Sequence, residues 1–121
     1  KAIMKKPLLL LLAILSSSLM FSQLNKNANK LKTDRSERYQ QIKTFVEQDW
    51  KGDHQMMVYN INTQADAFSE VYELMQSKGY DEKIMLKAFG KWGIKINRKI
   101  HYDYTMVVYQ YKNEIKAKNQ Y

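Results

Sequence analysis

The fold class depends on residues 54–78, a stretch that reads HQMMVYNINTQADAFSEVYELMQSK. Its first part, MMVYNI (56–61), has the Val, Ile and Tyr content of a strand but lacks the period-two alternation that a half-buried strand requires. Over the whole stretch, the apolar residues recur about every 3.6 positions, as on one face of a helix: Met57, Ile61, Ala65, Phe68, Tyr72 and Met75. The opposite face carries Asp66, Glu70 and Glu73. The pattern therefore predicts one long helix over 54–78.

The sequence before this stretch predicts another helix. From Tyr39 to Trp50, apolar residues recur at steps of three and four, which is typical of an amphipathic helix, here over 34–50. Gly52 is suited to end this helix, because glycine accepts the backbone conformation of a helix C-terminus. Asp53 is a favourable N-cap for the long helix that follows.

The sequence after the long helix predicts two more helices. Asp81 is the expected N-cap of a third helix over 81–92, and Asp103 is the expected N-cap of a fourth. The stripe of the fourth helix consists of Tyr104, Val108, Tyr111 and Ile115. Residues 93–102, which read GIKINRKIHY, are expected to be a charged connection between the two.

Two stretches of the chain resemble each other at an offset of 50 residues. Met, Val, Tyr and a final Ala coincide when 56–67 is aligned with 106–117, and a Phe and a Trp precede each stretch. The sequence therefore predicts an all-α protein, with 34–121 forming one four-helix domain of two related helical hairpins. The alternative is an α+β fold with strands near 56–61 and 105–111, since the second stretch also alternates tolerably.

The first 22 residues have the three-part pattern of a secretory signal peptide. Three lysines precede the unbroken apolar run Leu8–Leu15, and small serines follow it, so that cleavage after Ser18 or Ser22 is expected. The apolar stretch is shorter than the roughly 20 residues of a membrane-spanning helix. We therefore expect a secreted or periplasmic protein without an integral membrane segment after cleavage. Residues 23–33, polar and rich in Asn and Lys, are expected to be a disordered lead-in.

Composition excludes several kinds of chemistry. The chain has 121 residues, a formal net charge of +8 and no cysteine, so disulfides, thiolate-bound zinc and cysteine nucleophiles are excluded. The sequence lacks GxSxG, HExxH and a glycine-rich phosphate loop. His54 and His101 lie beside Asp53 and Asp103, but no nucleophile accompanies either pair. We expect no enzymatic activity, no catalytic or metal-binding residue and no cofactor.

Cations are concentrated between residues 83 and 99. Lysines at intervals of four on the third helix are followed by further cations in the connection, and together they form a candidate binding surface of Lys83, Lys87, Lys91, Lys95, Arg98 and Lys99. An anionic glycan, a lipid headgroup or a nucleic acid could bind there, although export fits a nucleic acid least well. If the second and third helices pack as a hairpin, the lysines instead pair with Asp66, Glu70 and Glu73.

Tyr59 and Tyr109 occupy equivalent positions in the two similar stretches and lie off the apolar stripes. Tyrosine is common at protein interfaces, so both are candidate contact residues. The alternative is that each ring packs against the preceding Trp at the edge of the helix bundle. The sequence therefore predicts an exported, non-enzymatic helical protein of the bacterial envelope that binds another protein or itself, or has a structural role. The alternative function is a basic module that binds anionic ligands through residues 83–99.

Overall fold

The computed structural model describes residues 23–121, which are mostly helical and include a small two-stranded sheet. The predicted signal peptide, residues 1–22, lies outside this part of the chain. In chain order the elements are α1 (Lys26–Asp34), α2 (Ser36–Trp50), α3 (His54–Met75), α4 (Glu82–Lys91), β1 (Gly93–Ile96), β2 (Lys99–Tyr102) and α5 (Tyr104–Lys118).

The predicted N-caps are confirmed for three helices. Asp53, Asp81 and Asp103 each have an extended backbone, and each side chain accepts a hydrogen bond from the backbone N–H three residues later. The donor–acceptor distances are 3.1, 3.1 and 3.3 Å for α3, α4 and α5, respectively. Each carboxylate thereby satisfies a helix N–H that has no partner within the helix.

The long helix is confirmed, and the alternative with strands near 56–61 and 105–111 is wrong. Both stretches are helical, the first within α3 and the second within α5. The reason is that the buried residues recur at the spacing of a helix: in α3 they include Ile61, Ala65 and Phe68, which lie on one face.

The connection over 93–102 is instead an antiparallel β-hairpin, so the strictly all-α description needs correction. Gly93 pairs with Tyr102 and Ile96 with Lys99, and the turn between the strands consists of Asn97 and Arg98. Both turn residues have positive φ, +50° and +69°, as a two-residue hairpin turn with the native strand twist requires. The alternation of isoleucine with polar residues on both sides of Asn97 is the sequence signal for this hairpin.

The expectation of a disordered lead-in at 23–33 also needs correction, because most of this stretch forms α1. Its N-cap is Asn25, whose side-chain oxygen accepts from the N–H of Ala28 at 2.9 Å. Ala28 and Leu31, one turn apart, are buried in the core beside α2 and α3. Ala28 and Leu31 therefore lie on the face of α1 that packs against α2 and α3.

Asparagine side chains attach α1 to α3. The side-chain oxygen of Asn62 accepts from the backbone N–H of Asn25 at 2.8 Å, and its amide donates to the carbonyl of Gln23 at 2.9 Å. The amides of Asn25 and Asn27 both donate to Asp66, at 2.9 and 3.0 Å. The asparagines that suggested disorder thus make specific hydrogen bonds with α3.

The helices pack in a defined order. Helix α3 lies against α2 and α5, α4 lies against α5, and β2 contacts α2. Gln64 contacts Asp103 and Glu70 contacts Lys112, so α3 and α5 run in the same direction. That the two predicted hairpins are related to each other stays a prediction.

A buried glutamine joins α3 to the start of α5. The Gln64 side chain is 6% exposed; its oxygen accepts from the N–H of Tyr104 at 2.8 Å. Its amide nitrogen donates to Oδ1 of Asp103 at 2.9 Å. The same Oδ1 accepts from the hydroxyl of Thr105 at 2.6 Å and caps α5. Because buried polar groups are costly without partners, this network specifies how the two helices meet.

We predict that Gln64→Leu lowers the free energy of unfolding by about 2 kcal/mol. The leucine retains most of the side-chain volume but leaves the buried N–H of Tyr104 without its acceptor. Urea denaturation followed by circular dichroism measures the change. Gln48→Leu is the control, since within residues 23–121 that exposed amide bonds only to Thr44 in the same helix. Equal losses in the two variants would contradict the role assigned to Gln64.

We also predict that Leu31→Ala lowers the free energy of unfolding by about 2 kcal/mol or more, because truncating a buried leucine removes apolar burial and leaves a cavity. Thermal unfolding is a suitable measurement, and Lys32→Ala on the exposed side of α1 is the control. A disordered lead-in predicts no effect in either variant.

Candidate functional site

The six predicted cations lie on two consecutive elements, and we call them the basic surface. Lys83, Lys87 and Lys91 follow one stripe of α4, Lys95 lies on β1, Arg98 in the turn and Lys99 at the start of β2. All six are exposed. The structure therefore brings both parts of the predicted site to one region, since β1 begins directly after α4.

The predicted pairing of the lysines with the acidic face of α3 is wrong. Glu70 pairs with Lys112 of α5 at 2.7 Å, and Asp66 accepts hydrogen bonds from α1. Within residues 23–121, Lys87 is the one member of the basic surface that makes a salt bridge, with Glu114 of α5 at 3.7 Å. The reason is topological: α4 packs along α5 rather than folding back as a hairpin partner of α3.

A polar seam fixes how α4 is rotated against α5. Lys118 donates to Asp81 at 2.7 Å at one end, and the indole N–H of Trp92 donates to Gln110 at 2.7 Å at the other. The Lys87–Glu114 pair lies between them, so the two helices are antiparallel. The hydrogen bond from Lys118, aided by the N–H of Ile84, lowers the pKa of Asp81. With the seam on one side, the remaining lysines of α4 point into solvent.

Trp92 connects the lysine stripe to the hairpin. The ammonium of Lys91 lies 5.5 Å from the centre of the indole ring, within range of a cation–π contact. The carbonyl of Trp92 accepts from the N–H of Asp103 at 3.1 Å, so the two ends of the hairpin are held together at its base. Trp92 thus contacts both a lysine of α4 and the base of the hairpin.

The hairpin presents cations on both of its faces. Lys95 pairs across the strands with Ile100, and Lys99 pairs with Ile96 one position further along. Because successive residues of a strand point to opposite faces, Lys95 and Lys99 project in opposite directions. His101 is buried, and its Nδ1 is 3.0 Å from the carbonyl oxygen of Lys99.

The two predicted tyrosines lie elsewhere. Tyr59 on α3 and Tyr109 on α5 are 51% and 62% exposed, and each comes six residues after the capping aspartate of its helix. Both lie on other helices than the lysine stripe, which is on α4. The structure leaves both rings available for contact with another molecule.

Sequence reasoning missed a cluster of arginines and aromatic rings. Arg35 donates to the hydroxyl of Tyr72 at 2.7 Å, and Arg38 donates to that of Tyr104 at 3.0 Å. The ring of Phe68 lies edge-to-face with both tyrosines, at 5.3 and 5.2 Å between centres. Burial raises the pKa of Tyr104, while Arg38 acts in the opposite direction. The partners come from three helices and from the junction between α1 and α2, so no local pattern could reveal the cluster.

Beside this cluster lies a cavity of about 280 Å³ between α1 and α3, whose lining includes Leu31, Phe68 and Tyr72. Its rim carries Lys30 and Arg35 and also Asp34. Since charges of both signs surround it, the cavity does not select for an anion as clearly as the basic surface does.

Among residues 23–121, no group of three or more His, Cys, Asp or Glu side chains could hold a metal ion. In the same part of the chain, no helix combines the length and the hydropathy that crossing a membrane requires. A scan against protein-family models and searches of curated proteins and of solved structures gave no match.

Proposed function

We propose that this chain is a non-enzymatic binding protein of the bacterial envelope and that its basic surface binds an anionic ligand. The observation that carries the proposal is that six exposed cations lie on α4 and on the hairpin that directly follows it, with Lys87 the one that is paired within the described chain. Like charges kept close together create a local positive potential, which attracts anions and speeds their association.

The envelope location rests on the sequence pattern of residues 1–22. We propose that this segment is a signal peptide and that the cleaved protein, whose helices α2 to α5 form two related hairpins, is secreted or periplasmic. In that compartment, anionic glycans and lipid headgroups fit the basic surface better than nucleic acid does. No cofactor enters this function, because ion pairing and hydrogen bonding suffice for binding.

We predict that Lys83→Glu/Lys91→Glu weakens binding to heparin at least about 30-fold, since each lysine near an anionic surface contributes about 1 kcal/mol. Neither lysine makes a salt bridge with the described residues, so the exchange is expected to leave the fold intact. Elution from immobilised heparin by a salt gradient measures the effect.

The matched control is Lys26→Glu/Lys30→Glu on α1, which changes the net charge by the same amount at exposed positions of another helix. If binding depends on the basic surface, the affinity for heparin falls much further in the α4 variant than in the α1 variant. Equal weakening of the two variants would mean that only net charge matters and would contradict the proposed site.

A second candidate function is binding to a protein, and in particular to a second copy of this chain. The observation in its favour is the exposure of Tyr59 and Tyr109 at equivalent positions of two helices. Tyrosines are among the residues whose removal costs most at interfaces.

For this function we predict a dimer in sedimentation experiments and a dissociation constant at least about 30-fold higher for Tyr59→Ser/Tyr109→Ser, as expected when contact tyrosines contribute about 2 kcal/mol. Tyr121→Ser, at a fully exposed C-terminal position, is the control. A wild-type chain that stays monomeric at its highest soluble concentration would exclude self-association.

A further inference from the structure

An open groove of about 250 Å³ lies within the basic surface, between the last turn of α4 and the β-hairpin. Its lining includes Phe89, Tyr102, Ile94 and Ile100. Lys95 is the charged residue in its lining, and no acidic side chain contributes to it. The groove is therefore apolar inside and cationic at its edge.

Close packing fixes the shape of the groove. The rings of Phe89 and Tyr102 meet edge-to-face, with centres 5.0 Å apart and planes at 87°. Gly93 lies against them: an added Cβ would come within 3.1 Å of both Ile100 and Tyr102. A larger residue at this position would require the side chains of Ile100 and Tyr102 to move by a few tenths of an ångström.

Gly90 has a different role in the groove. It lies within α4, where glycine is less favourable than any residue except proline, and an added Cβ would meet nothing within 4 Å. Packing within the chain therefore does not require a glycine there. The space above Gly90 is open to an occupant from outside.

Exposed aliphatic side chains surround the same place. Leu86, one helical turn before Gly90, is 63% exposed, and Ile100 and Ile94 are 54% and 44% exposed. Large apolar side chains that remain in solvent close together indicate a binding surface. Lys95 lies in the lining of the groove and Lys91 directly follows Gly90 in α4, so the surface complements a molecule with an alkyl chain and a negative group.

We propose that this groove holds the alkyl chain of an anionic lipid, while the neighbouring lysines bind its headgroup. The inference rests on the proposed binding of anions by the basic surface and adds the chemical class of the ligand. Burial of the chain against Phe89, Tyr102 and Ile100 supplies apolar contact, and the cations supply selection for negative charge.

The test uses decyl phosphate below its micelle concentration as the probe, with butyl phosphate and inorganic phosphate for comparison. The chain contains four glycines, whose amide signals in a ¹⁵N-labelled sample provide an internal control. Gly90 and Gly93 lie in the groove, whereas Gly52 and Gly79 lie in turns between helices. We expect decyl phosphate to shift the first pair and leave the second unchanged.

Affinity is expected to fall about fourfold for each methylene removed from the chain, which corresponds to ~0.8 kcal/mol per buried methylene. Octyl phosphate is thus expected to bind about 15-fold more weakly than decyl phosphate. Equal affinities for decyl, octyl and butyl phosphate would overturn the proposal, because the headgroup alone would then account for binding.

The variant Gly90→Leu fills the groove without a change of charge. We expect it to weaken decyl phosphate at least tenfold while leaving retention on heparin unchanged, and Gln55→Leu, an exposed position of α3, to change neither. Leucine is the better helix former, so we expect the Gly90→Leu variant to fold. Thermal unfolding checks that it does.

The two proposals fail in different ways. Unchanged binding of decyl phosphate by a folded Gly90→Leu variant overturns the lipid groove alone. Heparin binding that is equally weak in the α1 and α4 charge variants overturns the anion site.

Discussion

The carboxylate of Asp103 is the contact on which the arrangement of the domain depends. One of its oxygens accepts a hydrogen bond from the buried Gln64 side chain of α3 and also caps α5. The backbone N–H of Asp103 donates to the carbonyl of Trp92 at the end of α4. Three helices and the base of the hairpin thus meet at one residue. Because the partners are buried or half-buried, each bond is worth more than its equivalent at the surface.

The position of the basic surface follows from this junction. Asp103 fixes where the hairpin begins and ends, and the seam between α4 and α5 fixes how α4 is turned. The acidic groups that could neutralise the lysines are used elsewhere, Glu70 with Lys112 and Asp81 with Lys118. Among the described residues, Lys87 alone of the six cations is paired, with Glu114, so the surface keeps most of its positive charge.

Local patterns were sufficient to predict part of this structure. The capping aspartates and the stripe from Ile61 to Phe68 depend on residues a few positions apart, so the sequence predicted α3 and its start correctly. The six cations could be identified as a group for the same reason. The direction in which they point could not be predicted, because it depends on contacts between separate helices, such as that of Lys87 with Glu114.

The errors have physical causes of their own. Helix α1 contains only a few apolar residues and is held by Asn62 and Asp66, which lie far along the chain, so its composition suggested disorder. The hairpin has strands of four residues and a turn without glycine, which gives a weak local signal. The groove and its open Gly90 emerge only when α4 and the hairpin are brought together.

The turn of the hairpin has a consequence for how this chain can change. Arg98 occupies a left-handed backbone conformation, φ +69°, that glycine or asparagine adopts at lower energy. The tip of the hairpin therefore keeps a positive charge against the preference of its own backbone. Glycine at this position would relax the turn but remove the cation, so the conformational energy of the turn and the charge at its tip cannot both be optimal here.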